Sequence, residues 1–88
     1  MTITTELNQS IVEYLESIGI ICGININTIF INRTSMCNYD LCRGLDEGDC
    51  YKMILELIKE RFSNSKYWII YSGKTDDDYF LDVYIRTP

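Results

Sequence analysis

The sequence contains no histidine, one proline, and eight lysine and arginine residues against thirteen aspartate and glutamate residues. The missing histidine removes the commonest general base and the usual neutral zinc ligand. The acidic excess gives a net charge of −5, which argues against binding nucleic acid through its phosphate backbone. No apolar run approaches the roughly 20 residues that a membrane span requires, so no membrane partner is expected.

What is present indicates one globular domain over residues 1–88. The chain is 47% hydrophobic and 24% charged, as folded domains of this size are. Its first residues lack a basic region followed by an apolar stretch, so we expect no signal peptide and a cytoplasmic location. In a reducing compartment the four cysteines, at positions 22, 37, 42 and 50, are expected to be free thiols; disulfides and a metal site are the alternatives.

Hydrophobic periodicity predicts helices over residues 5–18 and 49–62 and strands over 20–32, 66–72 and 79–86. This order, α-β-α-β-β, predicts an α+β domain in which two helices pack on one face of a three-stranded antiparallel sheet. Apolar alternation along 20–32 changes phase near Asn27, which favours one bulged strand over the alternative, a hairpin around residues 25–27. Residues 33–47 lack a period and are either functional or contain a short helical turn.

The C-terminal hairpin is predicted to place aromatic side chains on the sheet face away from the helices. Pairing Ser72 with Tyr79 would direct Trp68 and Ile70 into the core. The opposite face would then carry, around Ile69, the aromatic residues Tyr67, Tyr71, Phe80 and Tyr84. Soluble monomers seldom leave such an area uncovered, so we expect it to meet a partner, a second copy of the chain, or the segment 33–47 folded over it.

One motif suggests chemistry. Cys37-Asn38-Tyr39-Asp40-Leu41-Cys42-Arg43-Gly44 resembles the phosphate-binding loop of the low-molecular-weight tyrosine phosphatases, which implies Cys37 as nucleophile and Arg43 as phosphate clamp. However, no glycine lies between Cys37 and Arg43, and Asp40 would oppose a dianion. A zinc site formed by Cys37, Cys42 and Cys50 together with Cys22 has only one suitably spaced cysteine pair. We therefore expect no enzyme activity, no cofactor and no metal, and keep a thiol enzyme or zinc module as the weakest option.

The acidic residues of two segments are the second candidate binding feature. Carboxylates steer a protein toward a basic partner, and tyrosine supplies contact area at low entropic cost. The candidates in the first segment are Tyr39, Asp40, Asp46, Glu47 and Asp49. Those in the hairpin loop are Asp76, Asp77 and Asp78. Together with the aromatic face, they predict docking on a larger protein or nucleoprotein complex with a basic surface.

The chain resembles, at the level of a class, the small inhibitor proteins of phages and mobile elements, including anti-CRISPR proteins. The shared features are small size, negative charge, an aromatic and acidic surface and the lack of catalytic groups. The resemblance implies a protein that blocks the positively charged channel of a nuclease in the host cytoplasm, with carboxylates where phosphates would lie. The alternative is a homodimeric structural or regulatory module, joined through the predicted aromatic face.

Overall fold

The computed structural model describes residues 2–64 and 66–85, which form an α+β domain. Along the chain the elements are α1 (Thr2–Ser17), β1 (Cys22–Asn25), β2 (Thr28–Asn32), α2 (Arg33–Cys37), a 3-10 turn (Asp40–Cys42), α3 (Glu47–Arg61), β3 (Tyr67–Lys74) and β4 (Asp78–Ile85). The four strands form one antiparallel sheet in the order β1-β2-β4-β3. The α+β class is confirmed, while the predicted counts of three strands and two helices are wrong.

The additional strand arises because residues 20–32 form a hairpin, the alternative interpretation of that segment. Ile24 pairs with Ile29 and Asn25 with Thr28, so the chain reverses through a two-residue turn. The turn explains the change of phase, because the inward-facing positions on the two sides of a hairpin are set by the pairing. Ile26 occupies the turn with a φ of 59°, a left-handed conformation that a β-branched residue rarely adopts.

Helix α3 is defined by its ends. The Asp46 carboxylate accepts a hydrogen bond from the Asp49 backbone N–H at 2.8 Å and caps the helix. Acidic residues lie in its first turn and Lys59 and Arg61 in its last, which complements the helix dipole.

None of the helices within the described ranges is long and apolar enough to cross a membrane.

Residues 33–47 contain the short helical turn that was one of the two expectations. The Asn32 side chain caps α2 by accepting from the Ser35 backbone N–H at 2.9 Å. Met36 and Cys42 are fully buried, and both α2 and the 3-10 turn contact α3. The segment therefore packs among the helices, and the proposal that it covers the aromatic face is wrong.

The core lies on one face of the sheet. Ile29 and Ile31 of β2 and Leu81 and Val83 of β4 are buried, whereas the residues between them are half-buried. The helices cover this face. The other buried residues of the core are Leu7, Ile11, Val12, Leu15, Ile20, Met36, Cys42, Cys50, Tyr51, Ile54, Ile58 and Tyr79. The opposite side of the sheet is called the outer face below.

The register of β3 against β4 differs from the prediction by one residue. Tyr71 pairs with Leu81 and Gly73 with Phe80, so Ser72 has no partner and forms a bulge. An added residue moves the side chains on one side of it to the other face. Consequently Trp68 and Ile70 point to the outer face, and the prediction that they belong to the core is wrong.

The strained turn generates a stability prediction. Replacing Ile26 by asparagine, which tolerates the left-handed region, should raise the free energy of unfolding by about 1 kcal/mol. Urea denaturation followed by circular dichroism measures this. Ile21→Asn is the matched control, because Ile21 is also exposed (66%, against 86% for Ile26) but lacks a positive φ. An equal gain in both variants would contradict the role of strain.

Candidate binding surface

The outer face combines exposed apolar side chains with carboxylates. Trp68, Ile70 and Tyr84 lie there with 58%, 50% and 49% of their surface exposed. The strand residues on this face within the described ranges include two carboxylates, Asp78 and Asp82, and no lysine or arginine. The face is therefore apolar and negatively charged at once, a combination suited to a partner that is apolar and basic.

Two phenylalanine rings form the floor of this face. Gly23, Phe30, Phe80 and Gly73 are cross-strand neighbours, so one row with two rings at its centre crosses all four strands. A Cβ at Gly23 would stand 2.7 Å from the Phe30 ring, and one at Gly73 would stand 3.9 Å from the Phe80 ring. The Phe30 ring thus lies over Gly23, where any larger residue would displace it.

A shallow groove of about 600 Å³ opens beside these rings. The β1–β2 turn and β4 form its two sides. It is lined by Asn25, Ile26, Asn27, Thr28, Phe30, Ser72, Phe80, Asp82 and Tyr84. The Thr28 hydroxyl donates to Asp82 Oδ1 at 2.8 Å, and the Tyr84 hydroxyl donates to Oδ2 at 3.4 Å. Both bonds hold a half-exposed carboxylate in a groove whose lining also includes three aromatic rings.

Glu47 is the centre of a separate polar network on the helix side of the sheet. Arg33 Nη1 lies 2.9 Å from one carboxylate oxygen, and Lys74 Nζ lies 3.5 Å from the other. The Tyr79 hydroxyl donates to the same oxygen as Lys74. The hydrogen bonds from Tyr79 and Arg33 lower the pKa of Glu47 below its usual value. Burial, together with the Glu47 contact, raises the pKa of Tyr79 to about 12.

The same network brings the two predicted acidic segments to one end of the molecule. Arg33 Nε donates to the Asp76 carbonyl at 2.7 Å, and its backbone N–H donates to the Asp77 carbonyl at 2.8 Å. Since Arg33 also binds Glu47, the loop after β3 is held against the start of α3. We call this end, with Asp46, Glu47, Asp49, Asp76, Asp77 and Asp78, the acidic end.

The structure divides the predicted carboxylates by their availability. Asp49, Asp76 and Asp77 are exposed, and Asp78 is half-buried at the start of β4 on the outer face. Asp46 caps α3, and Glu47 is engaged by two cations and a tyrosine. Asp40, in the 3-10 turn, forms an exposed ion pair with Arg43 at 3.6 Å. Glu47 is thus chiefly a structural residue.

The predicted aromatic set is divided between the two sides of the sheet. Phe80 and Tyr84 lie on the outer face as expected, but Tyr67 and Tyr71 face the helices, as does Ile69. Tyr67 is half-buried and its hydroxyl donates to the Ile58 carbonyl at 3.4 Å. The prediction of one face carrying all four rings is wrong, because Ser72 was counted as a paired residue.

The remaining tyrosines pack within the protomer. Tyr71 lies edge-on to Tyr51 at 5.6 Å between ring centroids, and Tyr51 stacks on Tyr79 at 4.9 Å. Tyr71 nevertheless keeps half of its surface exposed at the edge of this cluster. Tyr39, before the 3-10 turn, is half-buried and packs against the core. Neither tyrosine belongs to the outer face.

All four cysteines are free thiols. Cys42 and Cys50 are buried, and Cys50 Sγ donates to the Cys42 carbonyl at 3.5 Å. Burial raises the pKa of every one of the four, that of Cys22 to about 11, which disfavours the reactive thiolate. Within the described ranges no group of three or more histidine, cysteine or acidic residues could hold a metal ion.

Sequence reasoning missed several residues of the groove. Phe30 was missed because residues 20–32 were expected to form one bulged strand, whereas they form the hairpin of β1 and β2. Ile26 was missed because nothing in its type signals a left-handed turn. The available signal for Trp68 and Ile70 was Gly73, since a glycine at the end of a strand often marks a bulge.

The Glu47 network generates a prediction about acid stability. Because the pKa of Glu47 is lowered in the folded state, its contribution to stability is present above the unfolded pKa of about 4.3 and is lost as pH falls through the folded value. Glu47→Gln should therefore make the free energy of unfolding less dependent on pH below about 5. Tyr79→Phe, which removes the hydrogen bond that lowers the pKa of Glu47 most, should reduce the same pH dependence by a smaller amount. Urea midpoints across a pH series measure both; equal slopes for Glu47→Gln and wild type would contradict the assignment.

Comparison with known proteins supplies no relative for this arrangement. No protein family matches the chain, no curated protein matches it, and no solved structure matches it.

Proposed function

We propose that this protein is a non-catalytic docking protein that binds a larger, basic macromolecular partner through its outer face and blocks it. The observation that carries the proposal is the outer face itself, where Trp68, Ile70 and Tyr84 are exposed beside carboxylates. Exposed aromatic residues of this kind are typical of interfaces and form their energetic centres. Soluble proteins otherwise keep such areas small.

The conformation of the turn residue Ile26 is a second, independent observation in favour of binding at this surface. It adopts a strained conformation, is 86% exposed, and lines the groove. A glycine or asparagine would stabilise the turn better, so folding gives no reason for isoleucine there. Strain kept at an exposed apolar side chain is better explained by a contact that the side chain makes with a partner.

Charge defines the kind of partner. The acidic end adjoins the outer face through Asp78, which belongs to both. Exposed carboxylates accelerate association with a basic surface, and the apolar centre then holds the complex. The class resemblance suggests an inhibitor of a nucleic-acid-binding nuclease. In such an inhibitor the acidic end would face the basic channel and the apolar centre of the outer face would hold the complex. The raised pKa of each of the four thiols favours binding over thiol catalysis.

A homodimer is the second candidate, and one observation favours it. β3 lies at the edge of the sheet, and its residues from Tyr67 to Gly73 carry no charge. Edge strands without charge or proline pair readily with another strand. Antiparallel pairing of two copies around Ile69 would align Trp68 with Ile70 of the second copy. Light scattering during size exclusion separates the candidates, since a dimer would double the mass of 10.3 kDa.

Capture experiments test the docking function. The immobilised chain is exposed to lysate of the cells in which its gene occurs, and bound proteins are quantified at low and high salt. Trp68→Ser should reduce capture of a basic partner at least about tenfold, because a central tryptophan commonly carries that much binding energy. Leu41→Ser is the matched control, since Leu41 is equally exposed at 55% but lies in the 3-10 turn. Equal losses in both variants, or none, would contradict the proposal.

A further inference from the structure

Asp82 occupies an unusual place for a charged residue. It lies on β4, a central strand of the sheet, on the outer face between Thr28 of β2 and Ile70 of β3. Along β4 its neighbours on the same face are Phe80 and Tyr84. A carboxylate among aromatic and apolar side chains loses part of its hydration, so it requires either a compensating partner in the fold or a ligand.

The fold leaves this carboxylate only partly satisfied. Thr28 supplies one hydrogen bond at 2.8 Å, and Tyr84 supplies a long one at 3.4 Å. A carboxylate offers about four acceptor positions, so about two stay open toward the groove. Within the described ranges no lysine or arginine nitrogen lies within 4.0 Å of Asp82, whereas Glu47 has two such partners. The negative charge is thus oriented by hydroxyl groups but not neutralised.

The surroundings of Asp82 select among cations. Phe30, Phe80 and Tyr84 give the groove aromatic surfaces next to the carboxylate. A guanidinium group is planar and weakly hydrated, stacks on aromatic rings, and forms paired hydrogen bonds with a carboxylate. An ammonium group is compact and strongly hydrated, so an aromatic groove suits it less well. The chemistry of the groove therefore matches arginine better than lysine.

We propose that the groove beside Asp82 is a receptor for an arginine side chain of the partner. This inference rests on the proposed docking function and specifies which residue the partner inserts. The guanidinium pairs with the open oxygen positions of Asp82 and stacks against the aromatic lining. Thr28 and Tyr84 act as positioning residues that hold the carboxylate. Ile26 contacts the apolar part of the inserted segment from the rim of the groove.

Nuclear magnetic resonance titration of the full chain tests the receptor with defined probes. The probes are blocked Gly-Arg-Gly, Gly-citrulline-Gly and Gly-Lys-Gly peptides. The arginine peptide should shift the amide signals of Thr28, Phe30 and Asp82, and it should bind at least about fivefold more tightly than the neutral citrulline peptide, which has the same shape. The lysine peptide should be intermediate. Equal affinity for the arginine and citrulline peptides, or shifts confined to the acidic end, would overturn the proposal.

Variants distinguish the receptor from general electrostatic attraction. Asp82→Asn should weaken binding of the arginine peptide to the level of citrulline. Glu60→Gln removes an equal charge from the exposed surface of α3 and should change the affinity less than about twofold. Circular dichroism confirms folding of each variant. If Asp82→Asn perturbs the fold, Tyr84→Phe replaces it and should weaken arginine binding by a smaller factor. Equal losses in the Glu60 and Asp82 variants would overturn the proposal.

Three further outcomes separate the receptor assignment from the docking function. Arg86 of the chain itself lies outside the described residues, and binding that appears only in Arg86→Gln would show that the groove holds an internal arginine, which overturns the proposal. If arginine peptides fail to bind while capture of a partner still depends on Trp68, the docking function stands and the receptor assignment is wrong. If arginine peptides fail to bind and capture of a partner does not depend on Trp68, both the receptor assignment and the docking function are wrong.

Discussion

Side-chain alternation along β3 is the constraint on which the candidate surface depends. A strand presents successive residues to opposite faces, so a single unpaired residue decides the orientation of all those on one side of it. Ser72 is that residue. Because of it, Trp68 and Ile70 face outward and Tyr67 and Tyr71 face the helices. The position of Trp68 and Ile70 on the outer face therefore follows from one bulge near the end of one strand.

Residues that look suited to a partner also serve the protomer. Tyr71 packs with Tyr51 and Tyr79, and Glu47 joins α3 to α2, β3 and β4. An acidic or aromatic side chain has the same physical options toward its own fold as toward a partner. What separates the two uses is whether the fold already supplies the complementary group. Glu47 forms ion pairs with two cations of the fold, whereas the side-chain partners of Asp82 within the described ranges are two hydroxyl groups.

Local signals in the sequence predicted local structure well. Both long helices follow from the spacing of their apolar residues. The sheet was predicted less completely, because its pairing depends on contacts between distant residues. The β1–β2 turn lacks the glycine that usually marks such hairpins, and Ile26 gives no warning of a positive φ. The acidic character of the surface was therefore predictable, whereas the groove required the register of four strands.

Gly23 affects the shape of the groove although it is not one of the residues that line it. Any side chain there would press on the Phe30 ring and tilt it into the space above the sheet. A single substitution on the edge strand β1 could thereby reshape the floor while every lining residue stayed the same. Under the proposed docking function, a substitution at position 23 would therefore change which segments the groove accepts without changing any residue that lines it.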